Sequence, residues 1–192
     1  MVRFPGLCPN IAAIALVAGL AAVGAAGAAT HELRVGGFVV EHELVLPGTP
    51  ETIYDAITGD VSGWWDHSFS GSPKRLYIEA KPGGGFYEIF DKEGNGAQHA
   101  EVVYAHRGKL LRFVGPLGLS GKAIQMVHTY TFEPVAGDST RLKLSVHAAG
   151  EIEDGWEQVV DRVWQHFLFE RFKPWVESRS TAHADSSLKR RR

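Results

Sequence analysis

The sequence predicts an α+β fold in which a sheet of antiparallel strands packs against one long C-terminal helix. Two observations predict it: runs of period-two alternation follow one another through short turns, and the last apolar segment has helical spacing. A chain of 192 residues that is 44% hydrophobic suits one globular domain with extensions. The net charge of −2 argues against a nucleic-acid partner, because phosphate backbones are held by clustered positive charge.

The N-terminal segment predicts a secretory signal that is not part of the domain. Arg3 precedes an apolar stretch over 11–23, and small residues ending in an A-x-A pattern at Ala28 follow it. We therefore assign 1–28 as a signal peptide cleaved near Ala28, and expect a secreted or periplasmic protein. The alternative is a retained membrane anchor, since about 20 apolar residues can span a bilayer. The single cysteine, Cys8, leaves with the signal, so the mature chain has no disulfide.

The first strand and the helix after it have clear sequence signals. Alternation over 38–46 predicts the strand. Thr49 then offers a cap oxygen, Pro50 has a pre-set φ for the first helical position, and Glu51 suits the helix dipole. These residues predict a short helix over 50–59.

A second short helix is expected at Trp64-Trp65. Consecutive side chains on a helix point about 100° apart, so at most one of these indoles is expected to face the interior. We expect the pair to pack this helix on the sheet and to border a cavity entrance. An acid–base role for the following Asp66-His67 pair is the alternative.

Six further strands are expected, and turns rich in Gly, Pro, Asn and Asp separate several of them. Consecutive short connections imply an antiparallel meander. The six segments are 76–80, 86–91, 97–106, 110–114, 125–132 and 141–148.

The longest helix is expected to begin after a cap carboxylate at Asp154. Its apolar face is formed by Trp156, Val159, Val160, Val163, Trp164 and Phe167. Pro174 discourages a straight continuation. The domain is therefore expected over 36–178, followed by a disordered basic tail over 179–192. Solvation of the tail is preferred over contact with an acidic membrane surface.

Several short motifs occur in a fixed order: Thr49-Pro50, Trp64-Trp65, Gly83 to Gly85 before an aromatic strand, Lys109 to Phe113, Thr140 to Leu144, and Gly155-Trp156. This order resembles the helix-grip fold of the START and birch-pollen-allergen superfamily (SRPBCC). The motifs are similar to the branch that includes the C-terminal domain of the heat-shock protein 90 ATPase activator. The resemblance implies a curved sheet wrapped around the C-terminal helix, with two short helices after the first strand. It also implies an internal cavity that holds a small hydrophobic or aromatic molecule.

Strand phase identifies the side chains that would line such a cavity, because alternate residues share a face. The predicted ligand-binding residues are Trp64, Trp65, Tyr104, Phe113, His128, Tyr130, Val163 and Phe167. His128 and Tyr130 are the informative polar members, since burial without a hydrogen-bond partner costs roughly 1–3 kcal/mol. The preferred interpretation is that the two side chains bond to each other, to a backbone carbonyl or to a buried water. A polar group of a bound ligand is the alternative.

Three functions are consistent with these residues. Binding or carriage of a small hydrophobic molecule is preferred. The second is an enzyme resembling the polyketide cyclases of the same superfamily, with His128 and Tyr130 as catalytic residues. The third is a chaperone-associated ATPase activator. A secreted chain would not encounter that cytosolic ATPase, so the predicted signal peptide argues against this function. No metal or cofactor is expected, because the usual metal-binding and nucleotide-binding motifs are missing from the sequence; a zinc site built from histidines is the alternative.

Overall fold

The computed structural model describes residues 32–189, with side chains from 32 to 181. The predicted signal peptide over 1–28 lies outside the described residues. The strands are β1 (Val35–Pro47), β2 (Gly59–Asp60), β3 (Arg75–Ile78), β4 (Gly85–Ile89), β5 (Gly96–His106), β6 (Leu110–Val114), β7 (Ile124–Val135) and β8 (Ser139–Glu151). The helices are α1 (Pro50–Ile57), α2 (Trp156–Gln165) and α3 (Lys173–Lys189), with a π-helical segment (His166–Phe172) between the last two and a 3₁₀ turn at Leu117–Leu119.

The eight strands form one antiparallel sheet in the order β1-β8-β7-β6-β5-β4-β3-β2. Strands β2 to β8 follow one another as a meander, and β1 pairs along its whole length with β8, from Val35 opposite Glu151 to Pro47 opposite Ser139. The predicted fold class is confirmed. The short strand β2 was not predicted, because two residues are too few to show a period.

Two register shifts bend the middle of the sheet. One lies in the pairing of β4 with β5, between Phe86 and Tyr87. The other lies in the pairing of β5 with β6, between Val102 and Tyr104. An extra residue in one strand bends it and increases its twist, which helps the sheet curve around the C-terminal helix. It also reverses the strand phase beyond the bulge.

Helix α1 forms as the sequence predicts. The Thr49 hydroxyl accepts a hydrogen bond from the Thr52 N–H at 3.3 Å, and Pro50 occupies the first turn. Its buried side chains, Ile53, Tyr54 and Ile57, lie against the sheet. The N-cap residue and the apolar side are both local signals, so the sequence alone predicts where this helix begins and which side it buries.

The second short helix is reduced to a single turn. Both the Trp64 and the Trp65 N–H groups donate to the Val61 carbonyl, at 3.1 and 2.9 Å, and no further helical bonds follow. Gly63 lies in this turn against the indole of Trp175, where a Cβ would come within 2.5 Å of the ring nitrogen. The close approach of the turn to the C-terminal helix therefore requires glycine at 63.

The C-terminal helix differs from its prediction at the N-terminus and along the exposed side. Its N-cap is Gly155, in the left-handed region at φ 85°, and makes no side-chain cap bond. Asp154 instead pairs with Arg34 at 3.1 Å. The broad apolar face is narrower than predicted, since Val159 is 48% exposed.

The helical backbone passes through Pro174 and continues to Lys189. The turn before it is wider: the Lys173 N–H donates to the Leu168 carbonyl, five residues back. A π-turn accommodates the missing proline donor without ending the helix. Helix extends over 179–189 of the segment for which the sequence predicts a disordered tail, and residues 190–192 lie outside the described range. Within residues 32–189, none of the helices has the length and apolarity to cross a bilayer.

Candidate functional site

The inner face of β7 carries the residues that the sequence places there. Met126, His128, Tyr130 and Phe132 are all at least 96% buried, as period-two alternation predicts. Phe113 on the neighbouring strand β6 lies directly opposite His128. These strands therefore present an imidazole and a phenol to the interior between the sheet and the helix.

An aromatic cluster fills this part of the interior; we define it as Trp65, Phe113, His128, Tyr130, Trp164 and Phe167. His128 stacks on Phe113 at 4.8 Å between ring centroids and lies 5.4 Å from Trp164. Trp65 stacks on Phe167 at 3.9 Å with an interplanar angle of 18°. Five of the predicted cavity-lining side chains, those of Trp65, Phe113, His128, Tyr130 and Phe167, thus belong to one cluster. Trp164, which the predicted site omits, lies at the centre because it contacts both ends of the cluster.

His128 is fully buried, and neither ring nitrogen has a hydrogen-bond partner of good geometry. Burial lowers the pKa of His128 to about 3, and the nearby Phe113 backbone opposes this shift only weakly. The ring is therefore neutral at physiological pH. A neutral imidazole has one N–H donor and one nitrogen acceptor, and neither makes a hydrogen bond of good geometry in the interior.

Tyr130 is the second polar member of the cluster. Its side chain lies opposite Leu111 on β6 and Leu144 on β8, and the whole residue is 1% exposed. Burial raises the pKa of the Tyr130 phenol well above its ordinary value. The phenol therefore stays protonated over the whole working range of pH.

Trp64 and Trp65 are both buried, at 1% and 9% exposure, which corrects the expectation that only one faces the interior. The separation of about 100° between consecutive side chains applies to a regular helix. Trp64 and Trp65 lie at the end of a single turn, where that rule does not hold, so both side chains can point into the interior. Trp64 contacts Phe172 at 4.9 Å, and its ring N–H has no partner. Neither indole occupies the half-exposed rim that the sequence predicts for the pair.

Two other predicted site residues lie elsewhere. Tyr104 is 45% exposed, because the bulge after Val102 reverses the phase of β5 and turns this side chain away from the interior. Ala105 is partly buried in its place. Val163 is only partly buried at the edge of the core, while Phe167 is at the centre of the cluster.

A buried carboxylate on β4 forms a network that sequence reasoning left unassigned. Glu88 is fully buried and accepts hydrogen bonds from the Phe69 and Ser70 N–H groups, both at 2.9 Å, from the Ser70 hydroxyl at 2.7 Å, and from His99 at 3.0 Å. Burial raises the pKa of Glu88, but these donors outweigh it and hold the pKa below its ordinary value. Glu88 therefore fixes the loop that follows the tryptophan turn.

Glu88→Gln is expected to lower the free energy of unfolding by about 1–3 kcal/mol, because either orientation of the amide leaves an NH₂ group facing a donor. The exposed Glu101→Gln is the control and is expected to change stability by about 0.5 kcal/mol or less. Urea unfolding measures both. Equal midpoints for the two variants would contradict the structural role of Glu88.

Asp66 and His67, which follow the tryptophan turn, meet the C-terminal helix at its π-helical segment. The Asp66 carboxylate lies 2.8 Å from His67 Nδ1, 2.9 Å from His166 Nε2 and 3.2 Å from Arg171 Nε. Burial raises the pKa of Asp66, but the contacts with His67, His166 and Arg171 together hold it below its ordinary value. Glu170 and Asp66 raise the pKa of His166. Sequence reasoning missed His166, because 100 residues separate it from Asp66.

A surface depression of about 390 Å³ lies on the opposite side of the sheet. It is lined mainly by outward-facing polar side chains of β1, β7 and β8, including Glu41, Glu43, Thr129, Thr131, Lys143 and Ser145. Glu43 also pairs with Arg141 at 2.8 Å. This depression is separated from the aromatic cluster by the sheet.

No protein-family model matches the chain, and no curated protein matches it. Solved structures do. Protein SA2116 from Staphylococcus aureus superposes with a TM-score of 0.58 at 15% identity, over 77% of this chain and 98% of its own. Ara h 8.0201 superposes with a TM-score of 0.53 at 17% identity, over 74% and 99% of the two chains. The chain has the helix-grip fold.

The Aha1 dimer of Colwellia psychrerythraea is also similar, with a TM-score of 0.50, 18% identity and coverage of 73% of this chain and 96% of that one. Identities this low establish the fold and nothing further. Assignment to the branch of the heat-shock ATPase activator stays a prediction from the sequence motifs.

Proposed function

We propose that the protein binds a small, largely apolar aromatic molecule with one hydrogen-bonding group, between the sheet and the C-terminal helix. The observation that carries this proposal is His128, whose two ring nitrogens are buried among aromatic side chains without partners. An unpaired buried polar group has a free-energy cost of about 1–3 kcal/mol. A ligand hydroxyl or carbonyl beside His128 would remove that cost, and the surrounding rings would bury the rest of the ligand.

The ligand needs space that the aromatic cluster fills in the described structure. Trp164 covers His128 from the helix side and Phe167 packs against Trp164, and both are on the C-terminal helix rather than the sheet. Movement of these two side chains, or of the helix that bears them, opens the interior without breaking a strand pairing. The proposal therefore requires Trp164, Phe167 or their helix to move when the ligand binds, while the strand pairings of the sheet stay unchanged.

The properties of His128 favour ligand binding over catalysis as the function of the site. A general base works best when its pKa lies near the working pH, whereas burial holds the pKa of His128 at about 3. Tyr130 is a weak acid for the same reason, because its pKa lies well above its ordinary value. Both side chains suit hydrogen bonding to a ligand more than proton transfer.

The proposal predicts a preference between two matched probes. 2-Naphthol is expected to bind the wild-type protein about 3- to 10-fold more tightly than naphthalene, which corresponds to one net hydrogen bond. His128→Leu is expected to remove the preference and to keep naphthalene binding. Tryptophan fluorescence titration measures the affinities, since Trp65 and Trp164 line the proposed site.

His147→Leu is the matched control, because His147 is exposed on the outer side of β8. It is expected to behave as the wild type with both probes. An unchanged preference for 2-naphthol in His128→Leu, or no saturable binding of either probe by the wild type, would contradict the proposal. Mass spectrometry of the natively purified protein then identifies any molecule that accompanies it.

A further inference from the structure

Three potential metal ligands converge where the tryptophan turn meets the C-terminal helix. One ligand atom from each of Asp66, His67 and His166 lies within 4.8 Å of the others. His67 Nδ1 and His166 Nε2 lie 2.8 and 3.1 Å from the same oxygen, Asp66 Oδ1. Ligands bound to zinc at 2.0–2.2 Å in a tetrahedron are about 3.3 Å apart. The two separations that involve Asp66 are therefore already short, and the two imidazole nitrogens, which lie within 4.8 Å of each other, must adjust to enclose an ion.

We propose that Asp66, His67 and His166 form a binding site for a divalent transition-metal ion, with Zn²⁺ as the ion to test. Two imidazoles and one carboxylate suit zinc and its neighbours, whereas calcium and magnesium prefer oxygen ligands alone. Three protein ligands leave one coordination position for water or an added ligand. This site goes beyond the proposed function, and does not depend on a guest beside His128.

The groups behind the ligands support the assignment. His166 Nδ1 lies 2.8 Å from Glu170, so a carboxylate orients the ring and leaves Nε2 directed at Asp66. Metal-bound histidines usually have such a partner on the other ring nitrogen. Arg171 Nε lies 3.2 Å from Asp66 Oδ2, whereas Oδ1 is the oxygen that both His67 Nδ1 and His166 Nε2 approach.

The local backbone places one ligand and its two neighbours on the same segment. His166, Glu170 and Arg171 all belong to the π-helical segment that precedes Pro174. The three ligands are also accessible to an ion, since the side chains of Asp66, His67 and His166 are 34%, 58% and 31% exposed. A bound ion would join the turn that contains Trp65 to the segment that contains Phe167.

Isothermal titration of the full-length, untagged, chelator-treated protein with Zn²⁺ tests the site. The wild type is expected to bind one tight equivalent. Glu170→Ala is expected to weaken that binding about 10- to 100-fold, as loss of a partner behind a metal ligand does. His67→Ala and His166→Ala are expected to weaken it further. Co²⁺ provides a second reading, because a tetrahedral site gives visible absorption that both histidine variants are expected to lose.

The control is His147→Ala, which removes an exposed histidine of β8 and is expected to bind zinc as the wild type does. His67 is exposed, so its variant reports on the metal site without a large effect on folding. Zinc binding of equal affinity in the wild type and in His67→Ala would overturn the proposal. So would the lack of saturable binding by the wild type, which would leave these groups as a hydrogen-bonded contact between turn and helix.

Discussion

Acidification from pH 7 to pH 4 is expected to lower the free energy of unfolding by about 3 kcal/mol through His128 alone. The pKa of His128 is about 3 in the folded protein and 6.5 for the unperturbed group. Between these values the unfolded chain binds a proton that the folded protein excludes. The contribution of neutral His128 to the free energy of unfolding is therefore fully present above the unfolded pKa of 6.5. It is lost at about 1.4 kcal/mol per pH unit as the pH falls towards 3.

Urea unfolding of the wild type and His128→Leu at pH 7 and pH 4 measures this effect. Other groups, among them Glu88, Asp66 and His166, also titrate differently in the folded protein, but both proteins contain them and their contributions cancel in the difference. The variant is expected to lose about 3 kcal/mol less than the wild type over this range. Parallel losses would show that the folded protein protonates His128 readily, so that water reaches the ring.

The removal of an unpaired imidazole also has an effect at neutral pH. Leucine fills similar space without polar atoms, so His128→Leu is expected to be about as stable as the wild type at pH 7 or more stable. Retention of a destabilising polar side chain in a packed interior is what the binding proposal explains. The comparison at pH 7 therefore complements the probe titration.

Strand phase predicts the sheet side of the candidate site well. Alternation places His128, Tyr130 and Phe113 on one face, and the structure buries all three. The same rule fails at Tyr104, because the bulge after Val102 inserts one residue and reverses the phase. No local signal in the sequence marks that bulge, since Val102, Val103 and Tyr104 are all good strand formers.

The helix side of the site depends on contacts between distant parts of the chain. Helical spacing identifies Trp164 and Phe167 as core residues, but not their contacts with Trp65 and His128. The cluster of Asp66, His67 and His166 depends on where the turn docks, and this in turn depends on Gly63 against Trp175. Sequence periodicity describes one element at a time, so such pairings appear only in the folded structure.

Trp64→Ala and Trp65→Ala are each expected to lower the free energy of unfolding by about 3–5 kcal/mol, the usual cost of a large cavity in a core. Trp64 packs on Phe172, and Trp65 packs on Phe86 and stacks on Phe167. Both indoles are buried, so the sequence-based expectation that one variant would mainly weaken ligand binding is replaced by large losses in both. Chemical denaturation at neutral pH measures the two losses.

Tyr104→Ala is the matched aromatic control, because the bulge leaves this side chain 45% exposed. It is expected to change stability by about 0.5 kcal/mol or less. A loss as large as that of the tryptophan variants would place Tyr104 in the core and remove the bulge from β5. A small loss for Trp65→Ala alone would contradict the core role of Trp65 and show that other side chains readily replace its stacking on Phe167. Such movement of side chains on the helix side is what a ligand needs to reach His128.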